Sequence, residues 1–237
     1  MVFIKEFAKW MAYRAPVISK LVAPSYPYGI DPAQLSFLCD AISKTRGQGS
    51  ILEIGVARGN TSVFILEHLR TTGDPRNVFF LDTFSGFTDE SIDYEVNVRS
   101  KPREYYSGFR YGHEAVFRRN LRRLGYGRFE TVKCDASKID YAGFAPISVV
   151  LLDIDLYLPT KAALNGIWPH MTTPGFICID DCKDGMEWDG SLQAYLEFLN
   201  EQGLEPKFIG NKGGVIVKSS VCDPTIATLA RFREARA

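Results

Sequence analysis

Four aspartates directly follow two short apolar segments: Asp153 and Asp155 follow one, and Asp180 and Asp181 follow the next. Neighbouring parallel strands would bring both pairs together, with residues two apart on the same side. Unit charges about 4 Å apart repel by roughly 4 kcal/mol at an effective dielectric near 20. Such a cluster needs a cation, a shared proton or nearby arginines, and its oxygen ligands favour Mg²⁺, then Mn²⁺ or Ca²⁺. Separate turn and cap residues are the alternative.

A glycine turn and two further carboxylates could hold an adenosine-type ligand. Gly55 and Gly59 separate an apolar segment from a helical pattern, and glycine lets a backbone turn sharply and approach a ligand. Their spacing fits neither the dinucleotide fingerprint nor a Walker A loop. Asp82, after the second predicted strand, could accept both hydroxyls of a ribose. Asp135, after the third, could contact an adenine amino group; capping is the alternative for both.

The elements that must position these residues alternate along the chain. The predicted strands are Ser50–Ile54, Asn77–Leu81, Phe129–Cys134, Ile147–Leu152 and Phe176–Ile179, followed by Lys207–Ile209 and Val215–Lys218 as a hairpin. The predicted helices are Pro32–Lys44, Thr61–Thr72, Glu114–Leu124, Pro159–Met171, Ser191–Gln202 and Pro224–Arg236. This alternation predicts an α/β fold with a doubly wound, mostly parallel sheet and an antiparallel C-terminal hairpin. Ligands of such sheets bind at the carboxyl ends of the strands.

An N-terminal arm over residues 1–30 precedes the main domain, residues 31–237. Phe3, Phe7 and Trp10 recur at helical spacing, which predicts an amphipathic helix. The arm could act as a lid or pack on the main domain, and it could join two copies into a homo-oligomer. A membrane-surface helix is the alternative.

The segment Thr83–Gly112 is longer than an ordinary loop, which is typical of functional or disordered segments. It is rich in phenylalanine and tyrosine. We expect it to act as a lid over an apolar part of a ligand, with surface packing as the alternative.

Composition limits the partners of the chain. Lysine plus arginine and aspartate plus glutamate number 28 each, so the formal net charge is zero, which argues against nucleic acid as the partner.

Five scattered cysteines form no CxxC pair and are typical of reduced thiols in the cytoplasm. No apolar run reaches the roughly 18 residues of a membrane span, and the N-terminus lacks the pattern of a signal peptide. We therefore expect a cytoplasmic protein that acts on a small molecule.

Four sequence blocks carry a family resemblance. They are Glu53-x-Gly55-Val56-x-x-Gly59-x-Thr61, Leu81-Asp82-Thr83-Phe84-x-Gly86-Phe87, Leu152-Asp153-x-Asp155-Leu156-Tyr157-x-Pro159-Thr160 and Asp180-Asp181. With these blocks the chain resembles class I S-adenosylmethionine-dependent methyltransferases, and among them the macrocin O-methyltransferase family, whose members methylate sugar hydroxyls of antibiotics. The resemblance implies a Rossmann-like methyltransferase fold and methyl transfer from S-adenosylmethionine to a hydroxyl of a small molecule, such as a sugar or natural product.

The resemblance also implies which residues bind the methyl donor. Glu53, Gly55 and Gly59 would line its methionine part, Asp82 its ribose and Asp135 its adenine. Two further residues, Thr61 and Asp153, complete the implied cofactor site.

The resemblance makes Asp153, Asp180 and Asp181 ligands of Mg²⁺ or Mn²⁺. Asp155 would then support the metal ligands or act as a base, so Asp153 and Asp155 are the candidate catalytic residues. Catechol-type methyltransferases have a lysine base where this chain has Leu156, so a lysine mechanism is not implied.

Two other functions remain open at this level. The Asp153-x-Asp155 pair resembles the nucleophile motif of haloacid-dehalogenase-like phosphatases and phosphotransferases, although that motif normally follows the first strand of its domain. A noncatalytic protein that binds an adenosine ligand is the second alternative. His113 is a further candidate base, but a lone histidine is more often structural.

Overall fold

The computed structural model describes residues 2–15 and 24–219. Its strands are β1 Ser50–Ile54, β2 Val78–Asp82, β3 Phe129–Lys133, β4 Ile147–Leu152, β5 Met171–Ile179, β6 Phe208–Ile209 and β7 Gly213–Lys218. The α-helices of the described residues are α1 Val2–Arg14, α2 Pro32–Lys44, α3 Asn60–Thr72, α4 Asp89–Asn97, α5 Glu114–Arg123, α6 Tyr157–Ile167 and α7 Gly190–Gln202. Strands and helices alternate from α2 to α7 with two exceptions: α4 and α5 both lie between β2 and β3, and only a 3₁₀ turn at Tyr141–Phe144 separates β3 from β4.

The seven strands form one sheet in the order β3-β2-β1-β4-β5-β7-β6. The first five pair in parallel, whereas β7 is antiparallel to both β5 and β6. The order reverses between β1 and β4, and ligands of such sheets bind beside this reversal at the carboxyl ends of the strands. The predicted doubly wound sheet with an antiparallel C-terminal hairpin is confirmed.

Both faces of the sheet are covered, because β4 is buried along its whole length and can only lie between two layers. One face packs on α6 and α7 through Leu164 and Phe198. The other face packs on α2 and α3 through Leu38 and Ile65. The faces are therefore occupied by core, and the carboxyl edge is left for a ligand.

Helix α2 begins with a capping box. Asp31 Oδ1 accepts hydrogen bonds from the N–H groups of Ala33 and Gln34 at 2.9 and 3.1 Å, and Gln34 Oε1 accepts one from the N–H of Asp31 at 3.0 Å. Such a box satisfies backbone donors that the first helical turn leaves without partners. It also fixes Asp31 and Gln34, which reach other parts of the chain described below.

The segment Thr83–Gly112 is not a plain loop, which corrects the sequence prediction. It contains helix α4 and a 3₁₀ turn at Arg103–Tyr106. Thr88 Oγ1 caps α4 by accepting a hydrogen bond from the Ser91 N–H at 3.3 Å, and the first turn of the helix is acidic. Both features stabilise a helix N-terminus. The role of this segment as a lid stays a prediction.

The helix predicted over Pro159–Met171 is shorter at its C-terminal end. It ends at Ile167, a 3₁₀ turn covers Trp168–His170, and Met171 already begins β5. Pro174-Gly175 lies within β5, which begins five residues before the predicted strand Phe176–Ile179, at a shift in its pairing with β4. A strand can accommodate proline at such an irregularity.

Helix α1 confirms the predicted N-terminal helix. Its apolar side chains are exposed, at 84% for Phe3, 57% for Phe7 and 49% for Trp10, so its role as lid or oligomer arm stays a prediction. Across the described ranges, no helix has the length and apolar character that crossing a membrane would require. The helix predicted over Pro224–Arg236 lies outside the described residues.

Candidate active site

A cavity of about 370 Å³ opens at the carboxyl ends of the parallel strands. Its wall is mostly apolar, and its size suits a small-molecule site. The predicted site residues that line it are Gly55, Asp82, Asp135, Asp153, Asp155, Asp180 and Asp181. Residues on five strand ends, separated by up to 126 positions in sequence, therefore meet at one place.

The glycine turn after β1 passes close to the aspartate that follows β4. Gly55 has a φ of +85°, and a Cβ there would lie 1.8 Å from the carbonyl oxygen of Asp153, so only glycine fits. Parallel pairing continues beyond the strands, because the Asp153 N–H donates to the Ile54 carbonyl at 2.8 Å and the Asp180 N–H to the Leu152 carbonyl at 2.9 Å. This pairing places the two aspartate turns side by side.

Asp82, at the end of β2, is oriented by two backbone donors. Its Oδ2 accepts a hydrogen bond from the Val56 N–H at 2.8 Å, and its Oδ1 accepts one from the Phe84 N–H at 2.6 Å. A carboxylate has about four lone-pair sites, so both oxygens can still accept hydrogen bonds from a ligand in the cavity.

Asp135 follows β3 on the same edge. Its Oδ1 accepts hydrogen bonds from the N–H and the hydroxyl of Ser137 at 2.9 and 2.6 Å. Burial raises the pKa of Asp135, but the Ser137 hydrogen bonds and the Lys138 ammonium outweigh it, so the pKa is lowered below its usual value. Asp135 is therefore an ionised acceptor at this end of the cavity.

Three residues predicted to touch the cofactor, Glu53, Gly59 and Thr61, are not among those that line the cavity. Gly59 caps α3 with a φ of +85°, and a Cβ there would meet the Phe117 ring at 2.7 Å. Thr61 is buried in the first turn of the same helix. These two residues shape the turn instead of lining the space that it borders.

Glu53 lies in the core behind the glycine turn. Its side chain is 1% exposed, and its Oε2 has no hydrogen-bond partner among the described residues. Burial, with a smaller contribution from the charge of Asp82, raises the pKa of Glu53 to about 8. At neutral pH a neutral carboxyl is thus favoured under the turn.

Carboxylate oxygens of Asp153, Asp155 and Asp181 all lie within 4.8 Å of one another. Asp155 and Asp181 reach this arrangement with left-handed backbone, at φ values of +62° and +57°, which is uncommon for residues other than glycine. Two of the predicted ligands, Asp153 and Asp181, lie in this group with Asp155, and Asp180 lines the same cavity. The ligand set of Asp153, Asp180 and Asp181 stays a prediction. Three clustered carboxylate oxygens fit a hard divalent ion such as Mg²⁺ or Mn²⁺.

The carboxylates of this group repel one another when they are ionised. Burial raises the pKa of both Asp153 and Asp155 well above the usual aspartate value. Asp180 contributes the largest additional charge effect on Asp153, and Asp181 does so on Asp155. A nearby positive charge is therefore strongly favoured.

Asp180 is engaged by two side chains that the sequence analysis did not single out. Its Oδ1 accepts a hydrogen bond from Gln34 Nε2 at 2.9 Å, and its Oδ2 accepts one from Lys212 Nζ at 2.7 Å. Lys212 Nζ also donates to Asp181 Oδ1 at 2.7 Å. Each oxygen of Asp180 thus already accepts one hydrogen bond, and Lys212 bridges Asp180 and Asp181.

Aromatic side chains form part of the cavity wall. Trp188 contacts Phe87 and Phe109 at ring-centroid distances of 5.7 and 6.2 Å, and all three line the cavity. Phe87 and Phe109 belong to the segment predicted as a lid, whereas Trp188 precedes α7 and was not predicted.

Two further predictions concern His113 and the resemblance of the Asp153-x-Asp155 pair to a phosphatase motif. His113 is exposed at the start of α5 and does not line the cavity. The Asp153-x-Asp155 pair follows β4, the fourth strand along the chain, unlike the phosphatase motif.

Comparison with known proteins gives a match over most of the chain. The sequence profile of the family described as Macrocin-O-methyltransferase (TylF) matches residues 33–210. An 8-demethyl-8-(2,3-dimethoxy-alpha-L-rhamnosyl)-tetracenomycin-C 4'-O-methyltransferase from Streptomyces olivaceus is 30% identical over 147 residues, which are 58% of this chain and 56% of that protein. The chain therefore spans about half the length of this relative.

Solved structures share the fold at lower identity. The O-methyltransferase NovP has a TM-score of 0.66 and 21% identity, with 78% of each chain covered. The calicheamicin methyltransferase CalS11 has a TM-score of 0.58 and 20% identity, with 90% of each chain covered. The apo structure of CalS11 is described as that of a TDP-rhamnose 3'-O-methyltransferase.

Proposed function

The chain belongs to the macrocin O-methyltransferase family, and from this premise we propose that it transfers a methyl group from S-adenosylmethionine to a hydroxyl of a small molecule. The observation that carries the proposal is that a glycine turn, the ribose-type acceptor Asp82 and a group of aspartates open into one cavity.

The methyl donor would occupy the side of the cavity formed by the ends of β1, β2 and β3. Gly55 leaves room for its methionine part, Asp82 can accept the two ribose hydroxyls, and Asp135 can accept a hydrogen bond from the adenine amino group. The role of Glu53, which the resemblance assigned to the methionine part, becomes indirect in this proposal. It supports the turn from the core, as do Gly59 and Thr61.

The reaction is an in-line displacement at the sulfonium methyl. The acceptor oxygen forms a bond to the methyl carbon, the carbon–sulfur bond breaks, and its electron pair stays on sulfur as S-adenosylhomocysteine leaves. The hydroxyl proton must pass to a base. Ionising a sugar-type hydroxyl, with a pKa close to that of water, costs about 11 kcal/mol at pH 7.

The carboxylates of Asp153 and Asp181 would hold a divalent ion, with Asp155 beside them. When bound, such an ion stabilises a developing alkoxide and orients the acceptor oxygen. The clustering of three carboxylate oxygens within 4.8 Å supports this part of the proposal.

Asp155 is the best-placed proton acceptor of the group. Asp153 lies against the glycine turn on the donor side. The residue after Asp155, Leu156, packs with Ile92 and Tyr106 of the lid segment, so Asp155 borders the acceptor side. A raised pKa makes a carboxylate a stronger base once it is ionised.

We propose a glycosylated natural product or an activated sugar as the acceptor. The Streptomyces olivaceus relative and CalS11 are both described as methyltransferases that act on a rhamnose. The aromatic part of the cavity wall would take an apolar portion of the acceptor beside the reacting hydroxyl, since aromatic faces bury apolar surface well.

The test is a methyl-transfer assay with S-adenosylmethionine and a panel of rhamnosylated aromatic polyketides and nucleotide-activated deoxysugars, read by mass spectrometry. We expect one acceptor class to gain a single methyl ether, with loss of activity after chelation and recovery with Mg²⁺ or Mn²⁺. Asp155→Asn should lower kcat at least about a hundredfold without changing the affinity for S-adenosylhomocysteine.

The control is Asp184→Asn, which changes an exposed carboxylate near the same turn. Absence of S-adenosylhomocysteine binding in titration calorimetry would overturn the proposal. Full turnover in chelated protein would remove the divalent ion from it.

A further inference from the structure

We infer that Lys212 is a built-in counter-cation of the aspartate group and that its positive charge lowers the affinity of this group for divalent ions. The inference rests on the metal part of the proposed function. It assigns to Lys212 a positioning role, since the ammonium acts on the carboxylates and not on a substrate.

The contacts of Lys212 are with carboxylates on both sides. Its Nζ lies 2.7 Å from Asp180 Oδ2 and 2.7 Å from Asp181 Oδ1, and its side chain is 20% exposed. The side chains of the two partners are 3% and 5% exposed. Charge-assisted hydrogen bonds of this length in a largely buried setting are among the stronger polar contacts in proteins.

The backbone holds Lys212 in place from both sides. Its carbonyl accepts a hydrogen bond from the Cys182 N–H at 2.7 Å, directly after the aspartate pair. The preceding residue, Asn211, donates its N–H to Asp31 Oδ2 at 2.7 Å. Asp31 is the cap of α2, and one turn later Gln34 binds the other oxygen of Asp180. The β6–β7 turn is thus tied to the aspartate group and to a helix.

Lys212 contacts two of the three predicted metal ligands. Its ammonium would compete with a divalent ion for Asp180 and Asp181. An ion beside these carboxylates would also meet the ammonium charge at short range, which is unfavourable in a partly buried site. Removal of this charge should therefore strengthen ion binding, with Asp180 and Asp181 both released from the ammonium.

The experiment measures Mn²⁺ binding to the full chain by titration calorimetry, without methyl donor or acceptor. We expect Lys212→Met to bind Mn²⁺ roughly tenfold more tightly or better than the wild type, because one repulsive unit charge is lost. Lys212→Arg keeps the charge and should bind within about threefold of the wild type.

The matched control is Lys183→Met. Lys183 is exposed two residues after Asp181, but its Nζ donates to Asn211 Oδ1 at 3.0 Å, so its loss should leave Mn²⁺ affinity unchanged. A thermal unfolding scan of each variant serves as the folding check, and saturating Mn²⁺ should raise the Tm of Lys212→Met more than that of the wild type. If Lys212→Met does not fold, Lys212→Gln provides the same comparison.

The outcomes distinguish failure of the Lys212 inference from failure of the proposed metal site. Equal or weaker Mn²⁺ binding by folded Lys212→Met, in a wild type that does bind the ion, would overturn the inference alone. Equal tightening by Lys183→Met would also overturn it, since any lost surface charge would then suffice. Absence of Mn²⁺ binding in the wild type and in every variant would overturn it together with the metal part of the proposed function.

Discussion

The carboxylate of Glu95 accepts a hydrogen bond from the backbone N–H of Tyr157 at 2.7 Å, across 62 positions of sequence. Glu95 lies on α4, and Tyr157 begins α6 two residues after Asp155. The other oxygen of Glu95 pairs with Arg99 at 2.5 Å, and Arg99 also pairs with Asp189 at 2.8 Å. Helix α4 and the turn that carries Asp155 are thereby connected through one buried carboxylate.

Replacement of Glu95 should destabilise the contact between α4 and the start of α6. Glu95→Ala leaves the Tyr157 N–H and one side of Arg99 without partners in a buried setting, which should lower the free energy of unfolding by about 3 kcal/mol. We also expect kcat to fall, because the turn that carries Asp155 loses a support, while cofactor affinity changes little. Denaturant unfolding and steady-state kinetics give the two values.

The control for Glu95 lies on the same helix. Glu90 forms an exposed ion pair with Lys138, and exposed pairs contribute little to stability, so Glu90→Ala should leave both measurements nearly unchanged. If Glu95→Ala and Glu90→Ala change the free energy of unfolding and kcat equally, the Glu95–Tyr157 contact does not support the turn that carries Asp155.

Replacement of Asp82 should weaken cofactor binding. Asp82→Asn keeps the shape of the side chain but removes the charge that would accept two ribose hydroxyls, so the Kd for S-adenosylhomocysteine should rise about tenfold to a hundredfold. Titration calorimetry measures the change. Asp93→Asn, which alters an exposed aspartate paired with Arg103, should have no effect, and an unchanged Kd for Asp82→Asn would remove Asp82 from the ribose site.

Stability should fall with rising pH because of Glu53. Its pKa is about 8 in the folded chain against 4.5 in a model peptide, so the folded state keeps a proton that the unfolded state releases between these values. The free energy of unfolding therefore decreases as the pH rises from about 4.5 to 8, by an amount on the order of a few kcal/mol.

The variant that isolates this effect is Glu53→Gln, which is neutral at every pH. Relative to the wild type, its stability should improve steadily between pH 5 and 8, as measured by urea unfolding at each pH. A constant difference across this range would mean that Glu53 does not carry the proton.

The order of strands and the strand-end aspartates could be predicted because their signals are local. The strand Ser50–Ile54 and the helix Pro32–Lys44 have the predicted bounds, since an unbroken apolar run and a capping residue each mark an element without reference to its neighbours. Asp82, Asp135 and Asp153 line the cavity because parallel strands place all their carboxyl ends at one edge.

The missed features depend on contacts that are distant in sequence. The partners of Lys212 are 31 and 32 positions away, and that of Gln34 is 146 positions away, so no spacing pattern marks them. Helix α4 does have a local signal, since Thr88 precedes an acidic first turn. The helix is only nine residues long, and the polar and aromatic residues around it hide this signal. The burial of Glu53 is likewise visible only in the fold, and its assignment to the cofactor, made from its position in a motif, stays a prediction.

Trp188 should determine acceptor binding more than cofactor binding. Its ring contacts Phe87 and Phe109, and all three side chains line the cavity, so Trp188→Leu removes aromatic surface from the proposed acceptor site. We expect the acceptor KM to rise about tenfold, as for the loss of a large ring contact, with an unchanged Kd for S-adenosylhomocysteine. The matched control is Trp168→Leu, because Trp168 packs on Phe198 in the core away from the cavity and its loss should lower stability without a selective effect on acceptor KM. An equal rise in both constants for Trp188→Leu would mean that the tryptophan supports the whole cavity and does not recognise the acceptor.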